Sequence, residues 1–258
     1  MDSLTNRVAV VTGVSRRAGI GFAIAKRLLG DGASVVVHSW LAHDAAQPWG
    51  ADPGGVAAVI EELGGVGARL RHIEADFSDP DAPRRVIDFA VGEFGAVDVL
   101  IANHARSSAG TLEAVSADEL DASWAVNARA VVLLVQAYAA QHDDSRPSGR
   151  IVLFTSGQHL GPMADELAYA ISKGAVHQMT SSLADALAGR GITVNTINPG
   201  PVDTGWADHA VRDRLRSRFP AGRWSTPADV AATVRWLIDD DSAHVAGQVI
   251  NAEGGFRR

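Results

Sequence analysis

The sequence predicts an α/β protein built on a doubly wound, seven-stranded parallel sheet with helices on both faces. Three observations carry this prediction. Short β-rich runs alternate with longer helix-patterned stretches along the chain, and such alternation produces right-handed crossovers between parallel strands. Runs such as Val8-Ala9-Val10-Val11 and Val35-Val36-Val37 are apolar at every position, which suits a sheet covered on both faces. The first run passes through a glycine-rich turn into a helix, which is how a doubly wound sheet opens.

The elements follow in order from β-rich and helix-patterned composition. Strand Val8–Thr12 precedes a helix over Ile20–Leu29, and strand Ser34–Val37 precedes a helix over Gly55–Leu63. Strand Arg69–Ile73 pairs with helix Asp81–Phe94, and strand Val97–Ala102 with helix Ala122–Gln141. Strand Arg150–Thr155 leads to helix Leu167–Ala188, strand Thr193–Ile197 to helix Pro227–Asp239, and Gln248–Asn251 closes the sheet. Two segments break the alternation: Trp40–Gly54, rich in Ala, Asp, Pro and Gly, and Asp203–Arg223, with Trp206, Phe219 and a run of arginines. Long excursions from compact α/β domains are usually functional. Both are expected at the carboxyl ends of strands, where such sheets bind ligands.

With 258 residues, no repeat and no break in composition, the chain is read as one domain over residues 1–258 with a core large enough to fold without staples. Zero cysteines exclude a disulfide framework, a thiol nucleophile and a cysteine metal site, and no other residues show metal-ligand spacing. A net charge of −7 argues against nucleic acid or an anionic membrane as partner. There is no apolar run of spanning length, and the first strand begins too early for a signal peptide to precede it. The expectation is a cytoplasmic protein.

The chemistry concentrates in two places. The first is Thr12-Gly13-Val14-Ser15-Arg16-Arg17-Ala18-Gly19-Ile20-Gly21, between a buried strand and a helix. Glycine there allows a tight turn and close approach of backbone N–H groups to a pyrophosphate, with the positive end of the helix behind them. Asp76, just past the third strand, either accepts a bond from an adenine amino group or caps the following turn. The second is the pair Tyr169 and Lys173, four residues apart and so on one helix face. The only lysines are Lys26 and Lys173, and the only tyrosines Tyr138 and Tyr169. An ammonium near a phenol favours the phenolate, which is expected to lower the tyrosine pKa and fit it for general acid–base work. Ser156, at the end of the fifth strand, either donates to a substrate carbonyl or serves its turn. Asn127, within a helical stretch that gains nothing from asparagine, either holds a water or backbone group or marks a helix irregularity.

These residues resemble the classical short-chain dehydrogenases/reductases over the whole chain, and within them bacterial 3-oxoacyl-[acyl-carrier-protein] reductase-like proteins. The resemblance rests on the glycine loop, Asp76, Asn103, Asn127, Ser156, Tyr169, Lys173, Asn198-Pro199-Gly200-Pro201-Val202-Asp203-Thr204 and the tail Gly247–Gly255. It implies a Rossmann sheet and hydride transfer between a nicotinamide and a carbonyl or alcohol carbon. Tyr169 would exchange a proton with the substrate oxygen and Ser156 would orient that oxygen. Lys173 would lower the Tyr169 pKa and hold the nicotinamide ribose, and Asn127 would hold a relay water. Gly13, Ser15, Arg16, Gly19, Ile20 and Gly21 would line the adenosine phosphates. Asp76 and Phe77 would meet the adenine, Asn103 the adenosine ribose, and Val202 and Thr204 the carboxamide.

The chain departs from that pattern in three ways. Five residues separate Gly13 and Gly19 where three are usual, which leaves the choice between Arg16 and Arg17 open. Ala102-Asn103-His104-Ala105 stands where Asn-Asn-Ala-Gly is usual, and His104 is either a ligand or base or a packed or solvated ring. The Trp40–Gly54 insertion is longer than the family norm. No acidic residue ends the second strand at Val37-His38-Ser39-Trp40, where NAD users bind both ribose hydroxyls. Arg16 or Arg17, with Ser39, would meet a 2′-phosphate, so NADP(H) is favoured over NAD(H).

The segment 203–223 is expected to form a flap over the substrate. Its Arg212, Arg214, Arg216 and Arg218 either attract an acyl carrier protein or a carboxylate substrate, or make a solvated helix face. Trp206, Met163 and Leu160 suggest an apolar lining, although large side chains more often pack than recognise. Helices Ala122–Gln141 and Leu167–Ala188 are apolar on more than one face, which predicts burial on both sides and, through the family, a homotetramer with a dimer second. The leading reading is an NADP(H)-dependent reductase of an apolar ketone or 3-oxoacyl thioester. The alternatives are an NAD-dependent dehydrogenase of a sugar, steroid or secondary-metabolite alcohol, and a non-catalytic dinucleotide-sensing protein on the same fold.

Overall fold

The computed structural model describes residues 4–146 and 149–258. Seven parallel strands form one sheet in the order β3-β2-β1-β4-β5-β6-β7. They are β1 (Val8–Val11), β2 (Ser34–Ser39), β3 (Leu70–Glu74), β4 (Val99–Ala102), β5 (Arg150–Phe154), β6 (Thr193–Asn198) and β7 (Val249–Asn251). The expected doubly wound sheet is present, with its order reversing between β1 and β4. At that reversal crossovers leave toward opposite faces and open a crevice above the strand ends.

Side chains alternate along each strand between two buried layers. Ala9, Val11, Val35, Val37, Val152 and Phe154 face one core, under α1 (Ile20–Gly30) and α9 (Pro227–Leu237). Val10, Val36, Ile151 and Leu153 face the other, under α4 (Ala82–Phe94), α6 (Ala130–Gln141) and α7 (Leu167–Ala188). This accounts for the uniformly apolar strands. The remaining helices are α2 (Leu41–Ala45), α3 (Gly55–Glu62), α5 (Ala117–Trp124) and α8 (His209–Arg216). Among the described residues no helix is long and apolar enough to cross a membrane.

Two regions differ from the sequence expectation. The helix expected over Ala122–Gln141 begins at α5, where the Ser116 hydroxyl accepts from Glu119 N at 3.1 Å, a cap that satisfies a first-turn donor. It then widens into one π turn over Ala125–Arg129 before α6. Asn127 sits in that turn, fully buried, and its amide bonds outside the helix, which explains the widened turn. The Trp40–Gly54 insertion is not a plain loop, since it carries α2 and folds back over the glycine turn.

Tyr138 and Lys26 are structural. The buried Tyr138 hydroxyl donates to Asp98 O at 2.8 Å, and Lys26 reaches Glu62 on the surface at 3.4 Å.

Candidate active site

A cavity of about 1240 Å3 lies above the carboxyl ends of the strands. Residues just past six of them line it: Gly13 after β1, Trp40 after β2, Asp76 after β3, Asn103 after β4, Ser156 after β5 and Pro199 after β6. Parallel strands deliver these positions to one rim, so residues far apart in sequence meet there.

The glycine turn forms one end. Gly13 has φ +75, and a Cβ there would lie 2.8 Å from His104 Cα, so only glycine fits the turn and the packing. A Cβ on Gly21 would lie 2.5 Å from Gly13 O. Gly21 therefore lets the helix pack against the turn from below and does not line the cavity. Asn103 Nδ2 donates to Thr12 O and Gly13 O at 3.0 and 3.2 Å and so holds the turn in place. Gly19 caps α1 without a side-chain bond, which leaves first-turn N–H groups for a phosphate. Ser15 Oγ accepts from Trp40 N at 3.2 Å. These features fit the diphosphate of a dinucleotide.

The longer glycine loop docks onto the insertion through both arginines. Arg16 lines the cavity, with Nε 3.0 Å from Asp44 and Nη1 donating to Thr204 O at 3.1 Å. Arg17 turns away to form a forked pair with Asp52, which also accepts from Arg17 N and holds the Asp52 carboxyl down at about 2. Asp44 had no signal in the sequence, because only the fold of the insertion brings it to the cleft. Ser39 corrects an expectation: it is fully buried and bonds His72 Nε2 at 2.8 Å, away from the cavity. Asp76 lines the cavity and also accepts from Ser78 N at 2.8 Å, so it caps its turn as well. Phe77 lines it too, stacked on His38 at 4.1 Å.

His104 is a packed ring. It lies between Thr12 Oγ1 at 2.8 Å and Val126 O at 3.0 Å. A carbonyl only accepts, so Nε2 carries the proton and Nδ1 accepts from Thr12. Burial holds its pKa well below the ordinary histidine value.

Ser156, Tyr169 and Lys173 meet at the other end. Thr155 Oγ1 donates to Lys173 O at 2.8 Å, tying the end of β5 to α7, while Gln158 accepts from Ser156 N at 3.2 Å. Ser156 lies close enough to the Tyr169 phenol to lower its pKa. Lys173, 2% exposed, donates from Nζ to Phe154 O at 2.8 Å and lies 5.7 Å from the Tyr169 ring centre. This corrects the expected electrostatics. Burial pushes the Tyr169 phenol up to about 12 against the lowering effect of Ser156, with the Glu166 charge adding to the rise. Burial alone draws Lys173 down to about 8. Desolvation dominates both groups, and the Lys173 ammonium spends its hydrogen bond on a backbone carbonyl.

Asn127 lies behind this group. Its Oδ1 accepts from Arg106 N at 2.6 Å, and its Nδ2 donates to Arg106 O and Ser172 Oγ, both at 2.9 Å. The Ser172 hydroxyl donates to Tyr169 O at 2.7 Å. The side chain braces the loop after β4 against α7, the backbone-group reading of Asn127, within a widened helical turn.

Val202, Thr204, Trp206 and Met163 line the cavity, as do Gly19 and Ile20, while Leu160 does not. The segment 203–223 carries α8 and is anchored by rings: Phe219 lies 5.6 Å from Trp224 and 4.9 Å from Phe256. Among the described residues no group of three or more His, Cys, Asp or Glu side chains is placed for a metal ion.

Comparisons with known proteins identify the family. The family model described as enoyl-(acyl carrier protein) reductase matches residues 13–257. The chain is 36% identical over 259 residues, all of both chains, to the uncharacterized oxidoreductase YjdA of Bacillus subtilis (strain 168). It is 30% identical over 257 residues to a 3-oxoacyl-[acyl-carrier-protein] reductase of Synechocystis sp., covering 99% of each. A solved short-chain dehydrogenase of Burkholderia cenocepacia J2315 in complex with NADP superposes with a TM-score of 0.85 at 35% identity, covering 98% of each chain. The chain belongs to the classical short-chain dehydrogenase/reductase family and is an oxidoreductase of that family.

Proposed function

We propose that this protein is an NADP(H)-dependent reductase of apolar ketones, a 3-oxoacyl thioester among them, with Ser156 and Tyr169 acting on the substrate oxygen. The observation that carries the reading is the meeting of Ser156, Tyr169 and Lys173 at one end of a cleft whose other end is an uncapped helix terminus behind a glycine turn. A nicotinamide dinucleotide, when held there, would supply the hydride. The Ser156 hydroxyl donates to the substrate carbonyl oxygen and polarises it. Tyr169 then gives that oxygen its proton. A phenol held near 12 is fully protonated at neutral pH, the form that reduction needs. Lys173 lies one helical turn from Tyr169 and holds the nicotinamide ribose. Glycine-turn N–H groups and Ser15 take the phosphates, Asp76 and Phe77 the adenine, Val202 and Thr204 the carboxamide.

Arg16 supports NADP(H) through its reach into the cleft, as does the NADP held by the Burkholderia relative. Asp44 favours a second reading, NAD(H), because its carboxylate sits against Arg16 at 3.0 Å and offers an acceptor to ribose hydroxyls. A cytoplasmic homotetramer is the assembly we propose, built on the faces of α5, α6 and α7 that leave Trp124, Val132 and Ile171 exposed. Light scattering of the purified chain tests it.

Tyr169→Phe tests the catalytic reading. Ketone reduction should fall by about a thousandfold while NADPH binding, followed by fluorescence, persists. Unchanged turnover would remove Tyr169 as the proton donor.

A further inference from the structure

We propose that the substrate carries an anionic group, a carboxylate on the ketone or alcohol, received by Arg258 and Arg218 beside Ser156. The inference rests on the reductase chemistry proposed above and replaces its apolar substrate class with an anionic one at the same site.

Both arginines line the cavity. Arg258 lies across the turn that follows Ser156. A side chain on Gly157 would collide with its guanidinium, and a Cβ on Gly161 would fall 3.0 Å from its Cδ. Glycine at both positions thus leaves the room the arginine occupies beside the reacting serine. The guanidinium is aimed by a buried carboxylate: Glu253, 5% exposed, takes both terminal nitrogens and also accepts from Asn198 Nδ2 at 2.9 Å. A forked pair uses two of the five guanidinium N–H groups. That pair leaves three N–H groups, and a side chain so anchored loses little freedom when it binds an anion.

Arg218 supplies the uncompensated charge. Among the described residues its side chain has no ion pair or hydrogen bond, unlike Arg212, which pairs with Asp203, and Arg216, which donates to Gly222 O at 3.1 Å. The tail holds it near Arg258 because Arg257 N donates to Arg218 O at 2.9 Å and Phe256 packs on Phe219. Of the acids lining the cavity, Asp44 is paired with Arg16 and Asp76 caps its own turn after β3. Glu166, the remaining one, is raised from its ordinary value by burial and by Asp165. Arg218 and Lys173, neither paired with a carboxylate among the described residues, thus outnumber Glu166 at this end of the cleft and favour a substrate carboxylate.

The test uses 3-oxobutanoate, 4-oxopentanoate and 5-oxohexanoate, each against its own methyl ester, with NADPH and NADH. At one length or more, kcat/KM for the acid should exceed that for the ester by about thirtyfold. Arg218→Gln and Arg258→Gln should each cut that preference by about tenfold through KM for the acid, and Arg258→Lys, which keeps the charge beside Glu253, should restore part of it. Arg218→Gln carries the test if loss of the Glu253 partner unfolds Arg258→Gln. Esters reduced as well as acids at every length, or variants that slow both alike, would overturn the anion site and leave the reductase standing. If no compound is reduced, calorimetric titration of the NADPH-loaded protein with the same acids decides. Dinucleotide binding without acid binding overturns the anion site alone, and absence of dinucleotide binding overturns the reading beneath it as well.

Discussion

Replacing Lys173 with methionine should stabilise the dinucleotide-free protein near neutral pH while abolishing its turnover. Lys173 is 2% exposed, and burial draws its pKa from 10.5 to about 8. At about 1.4 kcal/mol for each tenfold change, the buried charge costs about 3 kcal/mol. The sign follows from proton counts. Between pH 8 and 10.5 the unfolded chain holds a proton that the folded chain has lost, so stability rises with pH through that window. Below pH 8 both states are protonated and the whole cost is present. Methionine removes the charge but also the bond to Phe154 O, worth about 1 kcal/mol. The net gain expected at pH 7 is about 2 kcal/mol, or a Tm higher by about 4–8 °C. Urea unfolding followed by tryptophan fluorescence at pH 7 and pH 9.5, at one protomer concentration and without dinucleotide, measures it. A variant less stable than the parent at pH 7, or a gap that does not shrink by pH 9.5, would refute the reasoning.

Three further outcomes are expected. Asn127→Ala removes buried bonds to both backbone groups of Arg106 and to Ser172, and should lower unfolding free energy by about 2–4 kcal/mol, read by urea titration. Gly21→Ala puts a Cβ 2.5 Å from Gly13 O and should weaken NADPH binding at least about tenfold, while Gly30→Ala, with nothing within 4 Å, should not. Asp44→Asn should raise the kcat/KM ratio of NADPH over NADH by about tenfold by freeing Arg16; an unchanged ratio would take Asp44 out of cofactor choice.

Much of the site was legible because its parts are local. Tyr169 and Lys173 share a helix face by spacing alone, and the glycine turn announces itself between a buried strand and a helix. The scarcity of lysine and tyrosine made the pair conspicuous, and the other members, Lys26 and Tyr138, have structural partners. What escaped was set by long-range packing. The lengthened glycine loop and the Trp40–Gly54 insertion looked like separate departures, yet they form one assembly through Arg16–Asp44 and Arg17–Asp52. Ser39 was placed at the phosphate by its position at a strand end, but its parity turned it toward His72. Of four alternating arginines, only Arg218 reaches the cavity.

The sequence by itself determined the sheet, its two buried faces and the glycine turn, because unbroken apolar runs and turn glycines are properties of neighbouring residues. Only the tertiary structure decided the electrostatics. Whether the Tyr169 phenol is pushed up or down depends on where the Lys173 ammonium points and how much water surrounds both. Desolvation and distance exist only once β5 and α7 have packed together.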